Sequence, residues 1–161
     1  MRLSVFGSST DRDRKRIRLS CIYPRIMYLL SSVLHSAEED AIIAVTQGFL
    51  AALNAKSPAD FEKYCIRAGG MSLWPPPPML PRFCTLGVFV EQIAKVPDEI
   101  DERIWDPEVK VYESGNLAAV WAPFRSKING AVNHVGVELF VLHKLNGQWK
   151  VTGEEKVNSW S

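Results

Sequence analysis

Apolar residues recur at spacings of three and four at Ile42, Val45, Phe49 and Leu53, the period that lays one stripe along a helix. Ser36 and Glu39 precede it as a capping box, the serine accepting from first-turn amides and the glutamate reaching back. This helix is predicted to end near Asn54. A short second helix restarts with Ser57 as its cap, Pro58 at the first helical position and Asp60 in the first turn, burying Phe61, Tyr64 and Cys65. Gly69 and Gly70 are expected to break it before a brief strand over 71–74. Pro75 to Pro78 fix φ and remove amide donors, which predicts an extended polyproline spacer; the alternative is a ligand for a proline-binding domain. A third helix is predicted over 85–96, with Leu86, Phe89, Val90 and Ile93 inward.

From Ile100 the pattern turns to β-type runs, over 100–104, 109–112, 117–126, 132–145 and 149–157, with Asp106-Pro107 as a candidate bulge. Asn129-Gly130 and Asn146-Gly147 separate the last three runs. An Asn-Gly pair between strands signals a two-residue hairpin, because both central residues must accept positive φ. Helices first and an antiparallel meander after them predict an α+β domain whose helices cover one face of the sheet.

Two tight turns also fix a register. Closing the second at Leu145 and Gln148 sets Phe140 opposite Gly153 and Glu138 opposite Glu155; closing the first likewise sets Trp121 opposite Glu138 and Arg125 opposite His134. Side chains alternate faces along a strand. One face then carries Trp121, Arg125, His134, Glu138, Phe140, Trp149 and Glu155; the other carries Val120, Phe124, Val135, Val137, Leu139 and Val141. Either face can be the core on this count. A bulge in either hairpin would shift the register and separate the two glutamates.

Composition changes this picture little. The chain has 161 residues, 47% hydrophobic and 23% charged, with a net charge of +1, the profile of one globular domain. Nothing in the overall charge points to nucleic acid. The first 36 residues hold seven Lys/Arg against Asp11 and Asp13. Residues 1–35 are read as a disordered basic leader and 36–161 as the domain. The leader partly matches secretory, mitochondrial and nuclear addresses without completing any of them. Its longest apolar stretch, Ile26 to Leu34, is far short of the ~20 residues of a membrane span. A cytoplasmic location is the simplest reading, with mitochondrial or nuclear placement as the alternatives the leader offers. Cys21, Cys65 and Cys84 have neither disulfide-framework nor zinc spacing. No metal, nucleotide or flavin motif is present, so any chemistry is expected to need no cofactor.

Four stretches resemble the nuclear-transport-factor-2-like superfamily, which includes the SnoaL-like polyketide cyclases, steroid isomerases and scytalone dehydratase. They are the helix over 38–53, the run Asp101-Glu-Arg-Ile-Trp-Asp-Pro-Glu-Val109, the run Val120-Trp-Ala-Pro-Phe124, and the closing hairpin with Gly147-Gln-Trp-Lys-Val151. The chain resembles fungal SnoaL-like proteins of uncharacterised function. The resemblance implies a cone-shaped, curved antiparallel sheet with three N-terminal helices over its concave face. In that family the final-strand tryptophan points into the cone, which selects the face bearing Trp149. The aliphatic face left outside needs cover, and a homodimer through the convex sheet would supply it. The family's dehydratase pattern uses two histidines; here His143 falls on the other face and His35 precedes the domain.

The expected site follows from that placement. Opposed carboxylates lie ~4.5–5.5 Å apart at Cβ, so Glu138 and Glu155 in a dry cone would share a proton and serve as base and acid. The alternative is a pair splayed into water. His134 is a candidate proton carrier or a structural histidine, Arg125 an anion holder, and Trp121, Phe140, Trp149 and Trp74 the walls. Two functions stay open: a cofactor-free isomerase, dehydratase or cyclase acting on a small apolar oxygenated metabolite, and a non-catalytic ligand-binding or homodimerisation module.

Overall fold

A computed structural model describes residues 37–75 and 77–159; the expectations for the leader and for the Ser36 cap lie outside the described residues. Residues Glu39–Ser161 make up one compact unit. The order is α1 (37–54), α2 (Pro58–Tyr64), β1 (Cys65–Trp74), β2 (Arg82–Thr85), α3 (Leu86–Ile93), β3 (Ile100–Ile104), β4 (Glu108–Val111), β5 (Leu117–Ile128), β6 (Ala131–Leu145) and β7 (Gln148–Ser159).

The helices form where the period placed them. Ile42, Phe49 and Leu53 are buried along α1. At its end Lys56 turns left-handed, with φ 50°, and its ammonium donates to the carbonyls of Val96 and Asp98 at 3.0 Å each. That contact ties the turn after α1 to the loop after α3. Ser57 caps α2, accepting from the Asp60 amide at 3.3 Å, and Phe61 packs edge-on to Phe49 with ring centres 5.0 Å apart. Thr85 caps α3, which stops at Ile93 rather than Val96.

The region 65–74 departs from expectation. The chain leaves α2 at Cys65 and runs directly into a ten-residue strand. Gly69 does not break a helix; it permits close approach, because a Cβ there would meet the Thr152 carbonyl oxygen at 2.5 Å. Strand β1 pairs with β7 in parallel, so the seven-stranded sheet is mixed and not antiparallel throughout. Its order is β2-β1-β7-β6-β5-β3, with β4 also on β5. The break between β3 and β4 falls at Trp105–Pro107, where Asp106 has φ 44°. The Pro77–Pro78 peptide is cis and lies in a turn, while Pro76 is outside the described residues.

Both Asn-Gly turns close as two-residue reversals, with φ of 51° and 80° at Asn129 and Gly130 and 51° and 78° at Asn146 and Gly147. Beyond each turn, however, one strand carries an extra residue. Ser126 pairs with His134 while Lys127 pairs with Val132, which leaves Asn133 as a bulge in β6. Leu142 pairs with Val151 while Val141 pairs with Gly153, which leaves Thr152 as a bulge in β7. Past these points the register moves by one, and a one-residue slip exchanges faces. Glu138 therefore opposes Lys156, Trp121 opposes Leu139 and Arg125 opposes Val135.

Each face of the sheet is consequently a mixture of the two expected sets. The face under the helices holds Ala118, Val120, Ala122 and Phe124 from β5, Glu138, Phe140 and Leu142 from β6, and Trp149, Val151, Glu154 and Lys156 from β7, all buried. The convex face holds Trp121, Leu139, Val141, Glu155 and Val157. The deep end of the concave side is filled: Phe49 meets Phe140 edge-on at 5.9 Å, and Leu142, Trp149 and Val151 join them in one cluster with α1, α2 and α3.

Candidate functional site

Four ionisable side chains meet on the concave face. Glu102 enters from β3, Glu138 from β6, and Glu154 and Lys156 from β7; each is at least nineteen-twentieths buried. The Lys156 ammonium donates a hydrogen bond to Glu102 Oε1. It also forms ion pairs with Glu138 Oε1 at 2.9 Å and Glu154 Oε1 at 3.1 Å. The second oxygens of Glu138 and Glu154 have no hydrogen-bond partner among the described residues. The rings of Phe89 and Phe124 flank the ammonium, with centroids 5.9 and 5.8 Å away.

Local geometry places each member. In β3, Glu102 keeps phase with Ile100 and points inward. The Asn54 carboxamide at the end of α1 holds its backbone, accepting from the Glu102 amide at 2.8 Å and donating to its carbonyl at 3.0 Å. Glu138 lies across from Ala122, whose small side chain leaves room for it. The Thr152 bulge turns Glu154 and Lys156 inward in place of Gly153 and Glu155.

Three carboxylates against one ammonium would leave excess negative charge in a dry site, which is costly. Burial is the main cause that pushes Glu138 well above its ordinary value; Lys156 opposes it, and Glu102 and Glu154 add to it. Glu154 is raised for the same leading reason. Burial alone would depress Lys156, but Glu102, Glu138 and Glu154 outweigh it and hold the lysine well above its usual range. Lys156 thus stays an ammonium and is no nucleophile. Burial lowers His134, with Lys156 acting in the same direction and Glu102 against it. Its Nδ1 lies 2.7 Å from Asn133 Oδ1. A carboxamide oxygen only accepts, so the proton of the neutral ring sits on Nδ1 and Nε2 keeps its lone pair.

These groups close one end of a cavity of about 160 Å³. Glu102, Ser126, His134 and Lys156 form the polar end; Leu53, Leu73, Phe89, Ile93, Ile100 and Ile128 form the remainder. Glu138 and Glu154 stand behind Lys156 and do not line the space. Glu102, Glu138 and Glu154 each offer an oxygen within 4.8 Å of the others, the spacing of a metal ligand set. The ammonium already serves as their cation, so a metal would have to displace it.

The expected site is only partly assembled. His134 and Glu138 are on the concave side together. Glu155 is not: it is exposed on the convex face, 3.1 Å from the Ser72 hydroxyl that donates to it. The Thr152 bulge is the reason the paired-glutamate geometry fails. The Asn133 bulge likewise sends Trp121 and Arg125 outward; Trp121 is 52% exposed and Arg125 lies 3.9 Å from Asp101. Trp74 packs edge-on to Phe83 at 6.1 Å, away from the cavity. Phe140 and Trp149 are inside but belong to the filled deep end. Glu102, Glu154 and Lys156 were missed. Glu102 was findable, since strict alternation from Ile100 points it inward; the other two depend on a bulge that no turn residue announces.

No protein-family model matches this chain, and no curated protein matches it. Solved structures do. A protein from Kribbella flavida is similar with a TM-score of 0.65 at 10% identity, over 78% of this chain and 93% of that one. A candidate scytalone dehydratase from Novosphingobium aromaticivorans gives 0.63 at 14%, over 80% and 89%. The association domain of C. elegans CaMKII gives 0.60 at 19%, over 75% and 95%. Other matches are nuclear-transport-factor-2-like proteins. At such identities the likeness shows the fold: this chain has the nuclear-transport-factor-2-like, cystatin-like cone. Among the described residues no helix is long and apolar enough to cross a membrane.

Proposed function

With that cone as the scaffold, we propose that the chain binds a small, mostly apolar, oxygenated molecule in the concave cavity and moves a proton on it, as an isomerase, dehydratase or cyclase does. The observation that carries this reading is the convergence of Glu102, His134 and Lys156 at one end of an otherwise apolar space. A neutral histidine with a free Nε2 is poised as a general base. A permanent ammonium beside it stabilises charge that develops on a carbonyl or hydroxyl oxygen. Burial pushes Glu138 toward its protonated form behind Lys156, which lessens the excess negative charge of the cluster. Enolisation, dehydration and double-bond migration need only these roles. The likeness to a candidate scytalone dehydratase agrees with it.

The test is hydrogen–deuterium exchange at the α-carbon of small ketones, followed by NMR. The wild-type chain should accelerate exchange, and His134→Gln should lose about a hundredfold of that rate. Equal exchange by both proteins would overturn the catalytic reading and leave ligand binding alone.

A second reading rests on the convex face. Trp121 and Val157 are 52% and 54% exposed there, and apolar hollows lined by Trp121, Val137, Leu139, Val141 and Val157 run across it. Contiguous apolar surface of this kind marks an interaction site. A homodimer through that face would cover it, and the likeness to an association domain agrees with that. The two readings use opposite faces and are compatible.

A further inference from the structure

Size and charge narrow the ligand further, on the premise that the concave cavity is the binding site. We infer that it takes a neutral molecule with one oxygen function on a single six-membered ring or a chain of similar bulk. The cavity of about 160 Å³ is close to the ~150 Å³ that holds one benzene in an engineered protein core. Drug-sized ligands occupy pockets of roughly 300–1,000 Å³. The space does not extend inward, because Phe49, Phe140, Leu142, Trp149 and Val151 fill the deep end. Interiors packed this way accept little added volume. Leu53 of α1 and Phe89 and Ile93 of α3 bound the roof, and Ile100 and Ile128 bound the floor. A fused two-ring or larger skeleton exceeds this volume.

Charge is set by Lys156. Its ammonium already has Glu102, Glu138 and Glu154 as neighbours. A ligand carboxylate would be a fourth acid on one ammonium, repelled by those already present. A ligand ammonium would lie beside Lys156 itself, and Glu102, the one carboxylate that lines the cavity, is already hydrogen-bonded to that lysine. A neutral oxygen avoids both penalties. It can accept from the Ser126 hydroxyl at that end, because the N–H groups of Lys156 face Glu102, Glu138 and Glu154. With the polar groups confined to one end, a single oxygen function is matched, and the rest of the ligand meets aliphatic and aromatic side chains.

The experiment titrates the full chain with cyclohex-2-enone, 2-naphthol, benzoate and cyclohexylamine, and follows the Ile93 and Ile100 methyl resonances and the His134 ring by NMR. Cyclohex-2-enone is expected to shift all three and to bind about tenfold or more tightly than each of the others. Comparable binding of 2-naphthol at those resonances overturns the size limit, and comparable binding of benzoate or cyclohexylamine overturns the charge limit; both results leave the pocket standing. No shift at Ile93, Ile100 or His134 with any probe overturns the pocket and this inference with it.

Discussion

The concave and convex faces of β5, β6 and β7 are built from alternating residues of the same strands, yet they invert the usual placement of charge. The inner face buries Glu138, Glu154 and Lys156, while the outer face leaves Trp121 and Val157 half exposed. Charges inside are tolerable because Lys156 reaches all three carboxylates and burial pushes Glu138 and Glu154 toward their neutral forms, whereas the apolar groups outside have no cover within the chain's described residues. The first arrangement fits a site for a small molecule, the second a site for another surface. Loss of balance should hurt the inner face far more than loss of an apolar group should hurt the outer one.

The largest expected effect comes from Lys156→Met, which leaves three buried acidic groups without their cation. Removing one partner of a buried ion pair costs roughly 3–5 kcal/mol, read as a drop in the urea midpoint at pH 7. The loss should shrink at pH 4, where the carboxyls take up protons. Adding Glu138→Gln and Glu154→Gln to Lys156→Met should restore most of it. A Lys156→Met protein as stable as wild type would show that the four groups are not balanced against one another.

Next in size is the pH dependence. Glu138 and Glu154 are raised above the ordinary 4.5, so the folded chain holds protons that the unfolded chain releases. Their contribution is complete below 4.5 and falls as pH climbs through the folded values. His134 is lowered from 6.5, so its contribution is present above 6.5 and falls as pH drops through its folded value. The two slopes oppose each other in mildly acidic solution. Glu138→Gln removes one carboxyl and should match wild type near pH 4 but be the more stable of the two at pH 8. Parallel stability curves from pH 4 to 8 would mean that Glu138 is already ionised in the fold.

The fold was legible because its signals are local. Helical spacing in α1, the Ser57 cap of α2 and both Asn-Gly turns act within a few residues and gave these elements. The inner set along β6 was also read correctly, since His134, Glu138 and Phe140 follow by simple alternation. The site was not legible, because two unpaired residues decide it. Asn133 and Thr152 look like ordinary strand residues, and each exchanges the faces of everything beyond it on the neighbouring strand. Glu155 for Glu154, and Trp121 for Ala122, are one-position errors of that kind. The parallel pairing of β1 with β7 joins segments some eighty residues apart and leaves no local trace.

Smaller again is Asn54→Ala. The carboxamide makes two hydrogen bonds to the Glu102 backbone, so its loss should cost about 1–2 kcal/mol at neutral pH. It should also change how Glu102 meets Lys156. Amide hydrogen exchange should quicken at Glu102 more than at Val120 of the neighbouring β5. Uniform quickening would assign Asn54 to α1 alone.

The smallest effect on folding should come from the outer face. Trp121→Glu puts a charge where the side chain is already half in water, so folding should change by no more than ~0.5 kcal/mol. The adjoining groups are Leu139 and Glu108, opposite it on the two neighbouring strands, and Val157 and Glu155, which line the same hollow. A second apolar surface laid over that hollow would bury the new carboxylate beside aliphatic side chains and the acids Glu108 and Glu155, at a cost in desolvation and repulsion. Light scattering after size exclusion should therefore give a dimer for wild type and a monomer for Trp121→Glu, with the same cavity resonances at Ile93 and His134 in both. A wild-type monomer at high concentration would remove the convex face as a self-association surface. A dimer that survives Trp121→Glu would place the interface elsewhere. The contrast is sharpest if the same substitution abolishes assembly and leaves binding in the cone untouched, because the two faces then differ in function as they do in charge.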